Sequence, residues 1–111
     1  MAEREHILFV CSRNQLRSPT GERIFANSER FEPRSRGLRA SANRRLTAGD
    51  VLWADSIFVM ERDHKRELLR NFGKEAKGRR IFVLDISDDY QFMDSELVNL
   101  ITAGVRSDLG E

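Results

Sequence analysis

The sequence holds a single cysteine, Cys11, among 111 residues. No internal disulfide can form, so no disulfide framework holds the fold. Histidine is scarce too, with only His6 and His64, and neither C-x-x-C nor H-x-x-x-H spacing occurs. That argues against a metal site, which usually draws on such pairs. No apolar run approaches the roughly 20 residues of a membrane-spanning helix. The opening MAEREHILFV lacks the charged, apolar and small-residue order of an export signal. Cytoplasm is the expected compartment, and a reduced thiol fits it. Neither sign of charge dominates: 19 Lys and Arg face 18 Asp and Glu, for a net +1. Bulk charge therefore speaks neither for nor against a polyanionic partner.

The length fits one domain over residues 1–111, large enough for a real core. Ile7-Leu8-Phe9-Val10 is a short continuous apolar run, the mark of a buried central strand. Ser18 then reads as an N-cap and Pro19 as a first helical residue. Ile24, Phe25 and Ala26 give that helix an inward stripe, running to about Arg30. Residues 31–35 form a weak second strand, where Pro33 belongs at an edge or strand start. A short helix over 46–54 is capped by Thr47, and Trp53 packs it onto the core. Ser56–Met60 is a strong buried strand. Glu61 to Phe72 reads as a helix ended by Gly73. Ile81–Leu84 is another apolar strand, followed by an acidic loop from Asp85 to Tyr90. A last helix starts near Asp94, with Leu97, Val98, Leu100 and Ile101 facing inward.

This alternation predicts an α/β fold, a three-layer α-β-α sandwich around a four-stranded parallel sheet. Ligands of such sheets bind beyond the carboxyl ends of the strands. Cys11 and the 85–89 loop both follow strands, so both fall on that rim.

Between Cys11 and the next helix lie five residues, then Arg17, Ser18 and Pro19. A cysteine here is often just a small buried hydrophobe. Its surroundings favour a second role. A thiol attacks as thiolate, and three features of this stretch stabilise a negative sulfur. The helix start offers unpaired N–H groups and the positive end of its dipole. A tight loop turns further N–H groups to one point, making an anion nest. Arg17 adds a planar cationic fork that matches phosphate oxygens. Ser18 is placed to donate its hydroxyl to the sulfur. The same cradle, built from the backbone of Ser12, Arg13, Asn14, Gln15, Leu16 and Arg17, suits a tetrahedral dianion with the sulfur beneath its phosphorus. A phosphate-binding loop after the first strand is thus expected.

Val10-Cys11-Ser12-Arg13-Asn14-Gln15-Leu16-Arg17-Ser18-Pro19 resembles the V-C-x-x-N-x-x-R-S-P loop of the low-molecular-weight protein tyrosine phosphatases. Ala54-Asp55-Ser56-Ile57-Phe58-Val59-Met60 is similar to that family's A-D-x-I-x-x-M strand, and Glu22 falls where a helix glutamate is common. The resemblance implies a cysteine-dependent phosphomonoesterase acting on phosphotyrosine through a phospho-cysteine. Cys11 is then the nucleophile, and Arg17 binds phosphate and stabilises the transition state. Ser18 tunes the thiolate, and Asn14 braces the loop. No cofactor or metal is implied. The substrate is a phosphorylated protein or small phosphomonoester.

The family carries Asp-Pro and an aromatic after its last strand. Asp88-Asp89-Tyr90 matches best, which makes Asp88 the general acid by resemblance, with Asp85 and Asp89 as other candidates. Tyr90 is either a cleft wall or a packing residue. Arg13 stands at a usual glycine, where it is either strained by positive φ or a second cation at the mouth. Leu16 replaces a frequent second cysteine, so no disulfide can protect Cys11. Loops between the second and third strands and before the last helix are shorter than usual in the family.

Arg34, Arg36, Arg39, Arg44 and Arg45 crowd the segment from 33 to 45. Such a stretch is either a solvated surface or a guide for an anionic substrate. It has no interleaved aromatics for stacking bases, so nucleic acid is a minor option. His64 is expected on the surface. The alternative function is a cysteine phospho-carrier or phosphate-binding module without turnover, against which Arg17 speaks. Thioredoxin-coupled arsenate reduction needs further cysteines, which are absent.

Overall fold

The computed structural model describes residues 3–110. Strand β1 (Glu5–Cys11) leads to helix α1 (Arg17–Ile24), strand β2 (Phe31–Gly37) and short helix α2 (Ala48–Trp53). Strand β3 (Ser56–Val59), helix α3 (Arg62–Ala76), strand β4 (Arg80–Val83) and helix α4 (Ser95–Asp108) follow. The sheet order is β2-β1-β3-β4, and every pairing is parallel. The expected α/β architecture with its four-stranded parallel sheet is therefore present. Pro33 lies in the edge strand β2, where a missing N–H costs least.

Both faces of the sheet are covered, and β1 shows why. Its alternate residues Ile7, Phe9 and Cys11 join a core with Leu97, Ile101 and Val105 of α4. Leu8 and Val10 face the other way, toward Val51 of α2 and Leu68 of α3. A strand buried on both sides must be apolar at every position, hence the unbroken run from Ile7 to Val10. Each such side chain contributes about 1.5–3 kcal/mol on burial.

Two helix ends and one inward face differ from expectation. Helix α1 stops at Ile24 rather than Arg30, and Ala26 is exposed. Ser28 closes the turn there, its Oγ accepting from the N–H of Arg30 and Phe31 at 3.1 and 3.0 Å. Helix α3 runs past Gly73 to Ala76, with a break at Phe72 (φ −134°, ψ 27°) that lets Ala76 reach the core. In α4, Leu97 and Ile101 are buried while Leu100 is exposed. Thr47 caps α2 as expected: Asp50 N–H donates to Thr47 Oγ1, and Thr47 N–H donates to Asp50 Oδ2. Trp53 is half-buried against the α2–α3 core and stacks on His6 at 4.3 Å between ring centroids. Among the described residues, no helix is long and apolar enough to cross a membrane.

Parallel strands place all their carboxyl ends on one rim. There the segments 12–16, 38–47, 60–61 and 84–94 meet.

Candidate active site

The loop from Ser12 to Leu16 wraps around the Cys11 sulfur. Asn14 makes the wrap possible with φ 54°, a left-handed conformation that asparagine tolerates well. Its N–H then points inward and donates to Cys11 Sγ at 3.3 Å. Arg13 is not in that conformation, so it carries no such strain. Its side chain is exposed and lines the cleft, which settles the two readings in favour of a cation at the mouth.

Ser18 does not cap α1. It is buried inside the first turn, and Leu16 occupies the cap position without a side-chain bond. Ser18 Oγ lies 3.0 Å from Cys11 Sγ and accepts from Asn14 Nδ2 at 2.9 Å. A thiolate at Cys11 accepts only, so against an ionised sulfur the hydroxyl is the donor. The backbone carbonyl of Arg36, at 3.4 Å, competes weakly. The Asn14 N–H and the Ser18 hydroxyl thus converge on the sulfur.

Arg17 is buried in the floor. One nitrogen, Nη1, donates to Glu61 Oε2 at 2.6 Å and to the Ile86 carbonyl at 2.7 Å. A guanidinium has five N–H donors. Those on Nε and Nη2 have no partner among the described residues, and Arg17 lines the cleft. They are what remains for a bound anion.

Sequence reasoning missed His64 and Glu61. His64 is buried, not on the surface. Its Nδ1 accepts from the Glu61 N–H at 3.2 Å, which assigns the ring proton to Nε2. Nε2 donates to Ser12 Oγ at 3.0 Å. The Ser12 hydroxyl keeps its own proton for an oxygen in the cleft. Desolvation by burial, and then the Arg17 charge, push the His64 pKa below its ordinary value, in keeping with a neutral ring. The signal available beforehand was the Glu61-x-x-His64 spacing at a helix start.

The cleft has a volume of about 320 Å³ and is lined by Cys11, Ser12, Arg13, Gln15, Leu16, Arg17, Arg39, Glu61 and Asp88. Of the three candidate aspartates, Asp88 is the one in this lining. Asp85 is exposed with φ 60°, and Asp89 accepts from Ser87 Oγ at 3.0 Å. The loop is pinned by Ile86, whose N–H donates to the Met60 carbonyl at 2.8 Å. Tyr90 is half-buried against the α4 core rather than forming a cleft wall.

A second loop braces the first. Leu38 N–H donates to the Cys11 carbonyl at 3.0 Å and Arg39 N–H to the Ser12 carbonyl at 2.9 Å. Asn43 N–H reaches the Arg13 carbonyl at 3.1 Å, and Asn43 Nδ2 the Asn14 carbonyl at 2.9 Å. These bonds take up the carbonyls of Cys11, Ser12, Arg13 and Asn14 on the side of the brace. Gly37 is needed at the junction. A Cβ there would stand 2.9 Å from both Asn14 N and Ser12 O.

No family model matches the sequence, and no curated protein does. Solved structures do match. The YwlE arginine phosphatase from Geobacillus stearothermophilus superposes with a TM-score of 0.74 at 20% identity, over 96% of this chain and 93% of that one. SP-PTP, a low molecular weight protein tyrosine phosphatase from Streptococcus pyogenes, gives 0.74 at 18% identity, over 96% and 91%. Vibrio vulnificus Wzb, in complex with benzylphosphonate, gives 0.72 at 24% identity, over 95% and 97%. The chain has the fold of these phosphatase structures.

Proposed function

We propose that the protein is a cysteine-dependent phosphomonoesterase acting on phosphotyrosine in proteins or on small phosphomonoesters. The observation that carries this reading is the convergence of the Asn14 N–H and the Ser18 hydroxyl on Cys11 Sγ, beside a buried Arg17 with donors to spare.

In the first step Cys11 thiolate attacks phosphorus and an S–P bond forms as the P–O ester bond breaks. Arg17 Nε and Nη2, the loop N–H groups and the Ser12 hydroxyl hold the equatorial oxygens as their charge grows. Asp88, protonated at the start, gives its proton to the leaving oxygen. In the second step a water attacks phosphorus, Asp88 takes its proton, and the sulfur leaves again as thiolate. Splitting the displacement in two retains the sulfur as a good leaving group. Only a reduced thiol can run this cycle, and the reducing cytoplasm suits it.

The carrier alternative would require a phospho-cysteine that water does not clear. An aspartate in the cleft lining argues for clearance. Hydrolysis of p-nitrophenyl phosphate by wild type, with EDTA present, is the test. Activity lost in Cys11→Ser supports the reading, and activity kept overturns it. Phosphotyrosine and phosphoarginine peptides assayed side by side then identify the phosphorylated residue, since the similar structures include an arginine phosphatase and a tyrosine phosphatase.

A further inference from the structure

The basic segment from 33 to 45 is not one uniform patch. Arg34 and Arg36 both bind Asp50, at 3.2 and 3.1 Å. Arg44 binds Glu22 at 3.0 Å and also donates to Ser35 Oγ. These three arginines are absorbed by the fold. Arg39 is exposed, forms no ion pair or side-chain hydrogen bond among the described residues, and lines the cleft. Arg13 is in the same state. Their backbones are joined through the brace, since Arg39 N–H bonds to Ser12 O and Asn43 N–H to Arg13 O.

Arg17 sits at the floor with Glu61 against it. Arg13 and Arg39 stand at the rim with no carboxylate of the described residues paired to them. A phosphomonoester held by Arg17 and the loop leaves these two side chains free for a second anionic group on the substrate, beside its phosphate.

We propose that Arg13 and Arg39 form an anion subsite for a carboxylate side chain flanking the phosphorylated residue, so that the substrate is an acidic phosphopeptide. The subsite deepens the phosphatase reading and rests on it. A peptide is favoured over a nucleic-acid end because no aromatic side chain lines the cleft to stack a base. Exposed charges of this kind set specificity and encounter rate, and salt weakens them.

The test reads binding apart from turnover. Cys11→Ser protein is titrated with fluorescent phosphotyrosine peptides whose flanking residues are aspartate, glutamine or lysine. Each flanking aspartate is expected to tighten binding by up to about fivefold over glutamine at low salt, the upper end for an exposed ion pair. Lysine is expected to weaken it, and the preference to shrink at high salt. Arg13→Gln with Arg39→Gln should flatten the series, and Arg13→Glu with Arg39→Glu should reverse it. Arg45→Gln, exposed in the same segment but outside the cleft, should leave the preference intact. Equal affinities across the three peptides overturn the subsite. So does tighter binding of a 5′-phosphorylated oligonucleotide than of the aspartate peptide. An aspartate preference in a protein that hydrolyses no phosphomonoester would keep the subsite and overturn the phosphatase reading instead.

Discussion

Arg17 Nη1 and Glu61 Oε2 stand 2.6 Å apart, tying the start of α1 to the start of α3 across the floor of the cleft. The pair joins residues 44 apart in the chain. It fixes the plane of the guanidinium before any anion arrives, which removes an ordering cost from binding. Glu61→Gln keeps a hydrogen-bond acceptor but loses the charge. Inhibition by inorganic phosphate should become tighter or unchanged, because Arg17 regains full charge. The kcat should fall by about tenfold, corresponding to 1.4 kcal/mol of lost positioning. A variant with unchanged kcat would show that Ile86 O alone orients Arg17.

Ser18→Ala removes the hydroxyl that faces the sulfur and leaves Asn14 Nδ2 without its acceptor. A hydrogen bond to a charged group contributes about 1.5–3 kcal/mol, so kcat should drop by roughly 10- to 100-fold. Iodoacetamide should alkylate Cys11 more slowly near neutral pH, and phosphate should protect it less. Unaltered alkylation would detach Ser18 from the thiolate.

Asp88→Asn should reduce kcat for phenyl phosphate by about 10²–10³-fold, within the usual range of a general acid. A dinitrophenyl ester, whose oxygen leaves without a proton, should suffer far less in the first step. Pre-steady-state bursts with the two esters check this. Asp85→Asn and Asp89→Asn should change neither burst, and if one of them does, the acid is that residue.

His64 gives the stability a pH dependence. Its folded pKa lies below the ordinary 6.5, chiefly through burial and then through Arg17. The unfolded chain therefore takes up a proton first as pH falls. The contribution is whole above about pH 6.5 and drains away as pH falls from there toward the folded value. Protonation also puts a second donor against the Glu61 N–H, breaking the contact that orients the ring. Thermal melts from pH 8 to pH 5 should show a loss that is smaller in His64→Gln. Equal slopes in the two proteins would contradict the assignment.

Gly37→Ala forces a methyl group to within 2.5 Å of Ala42 Cβ as well as against the loop backbone. Overpacking of this kind costs about 1–3 kcal/mol. At roughly 4–8 °C per kcal/mol in a domain of this size, a clear loss of Tm is expected. The kcat should fall too, since the displaced groups are Asn14 N and Ser12 O. A melt shifted without loss of turnover would mean that the brace absorbs the strain.

What could be read from the sequence was local. Ile7–Val10, Ile57–Val59 and Ile81–Val83 announce strands because burial on both faces demands apolar residues throughout. Cys11 and Ser18 lie seven residues apart, so one loop brings them together. The Ser18-Pro19 pair looked like a helix cap because serine serves either purpose, and only the path of the loop decides. Ser12 and His64 are 52 residues apart, and their meeting depends on β1 lying directly beside β3. Alternating strands and helices do not state that order. The five arginines looked alike for the same reason: Asp50 and Glu22, which take three of them, are distant in sequence.

The segment from Leu38 to Asn43 does two jobs with different atoms. Its main chain fastens the nest around the sulfur, while its Arg39 side chain reaches the mouth. Exchanging that side chain can retune which substrates enter without touching the fastening. Lengthening or shortening the segment cannot, because every inserted residue would shift the rungs on which the nucleophile's surroundings hang. Preference is thus free to drift here by point substitution, whereas insertions and deletions should be met with loss of catalysis.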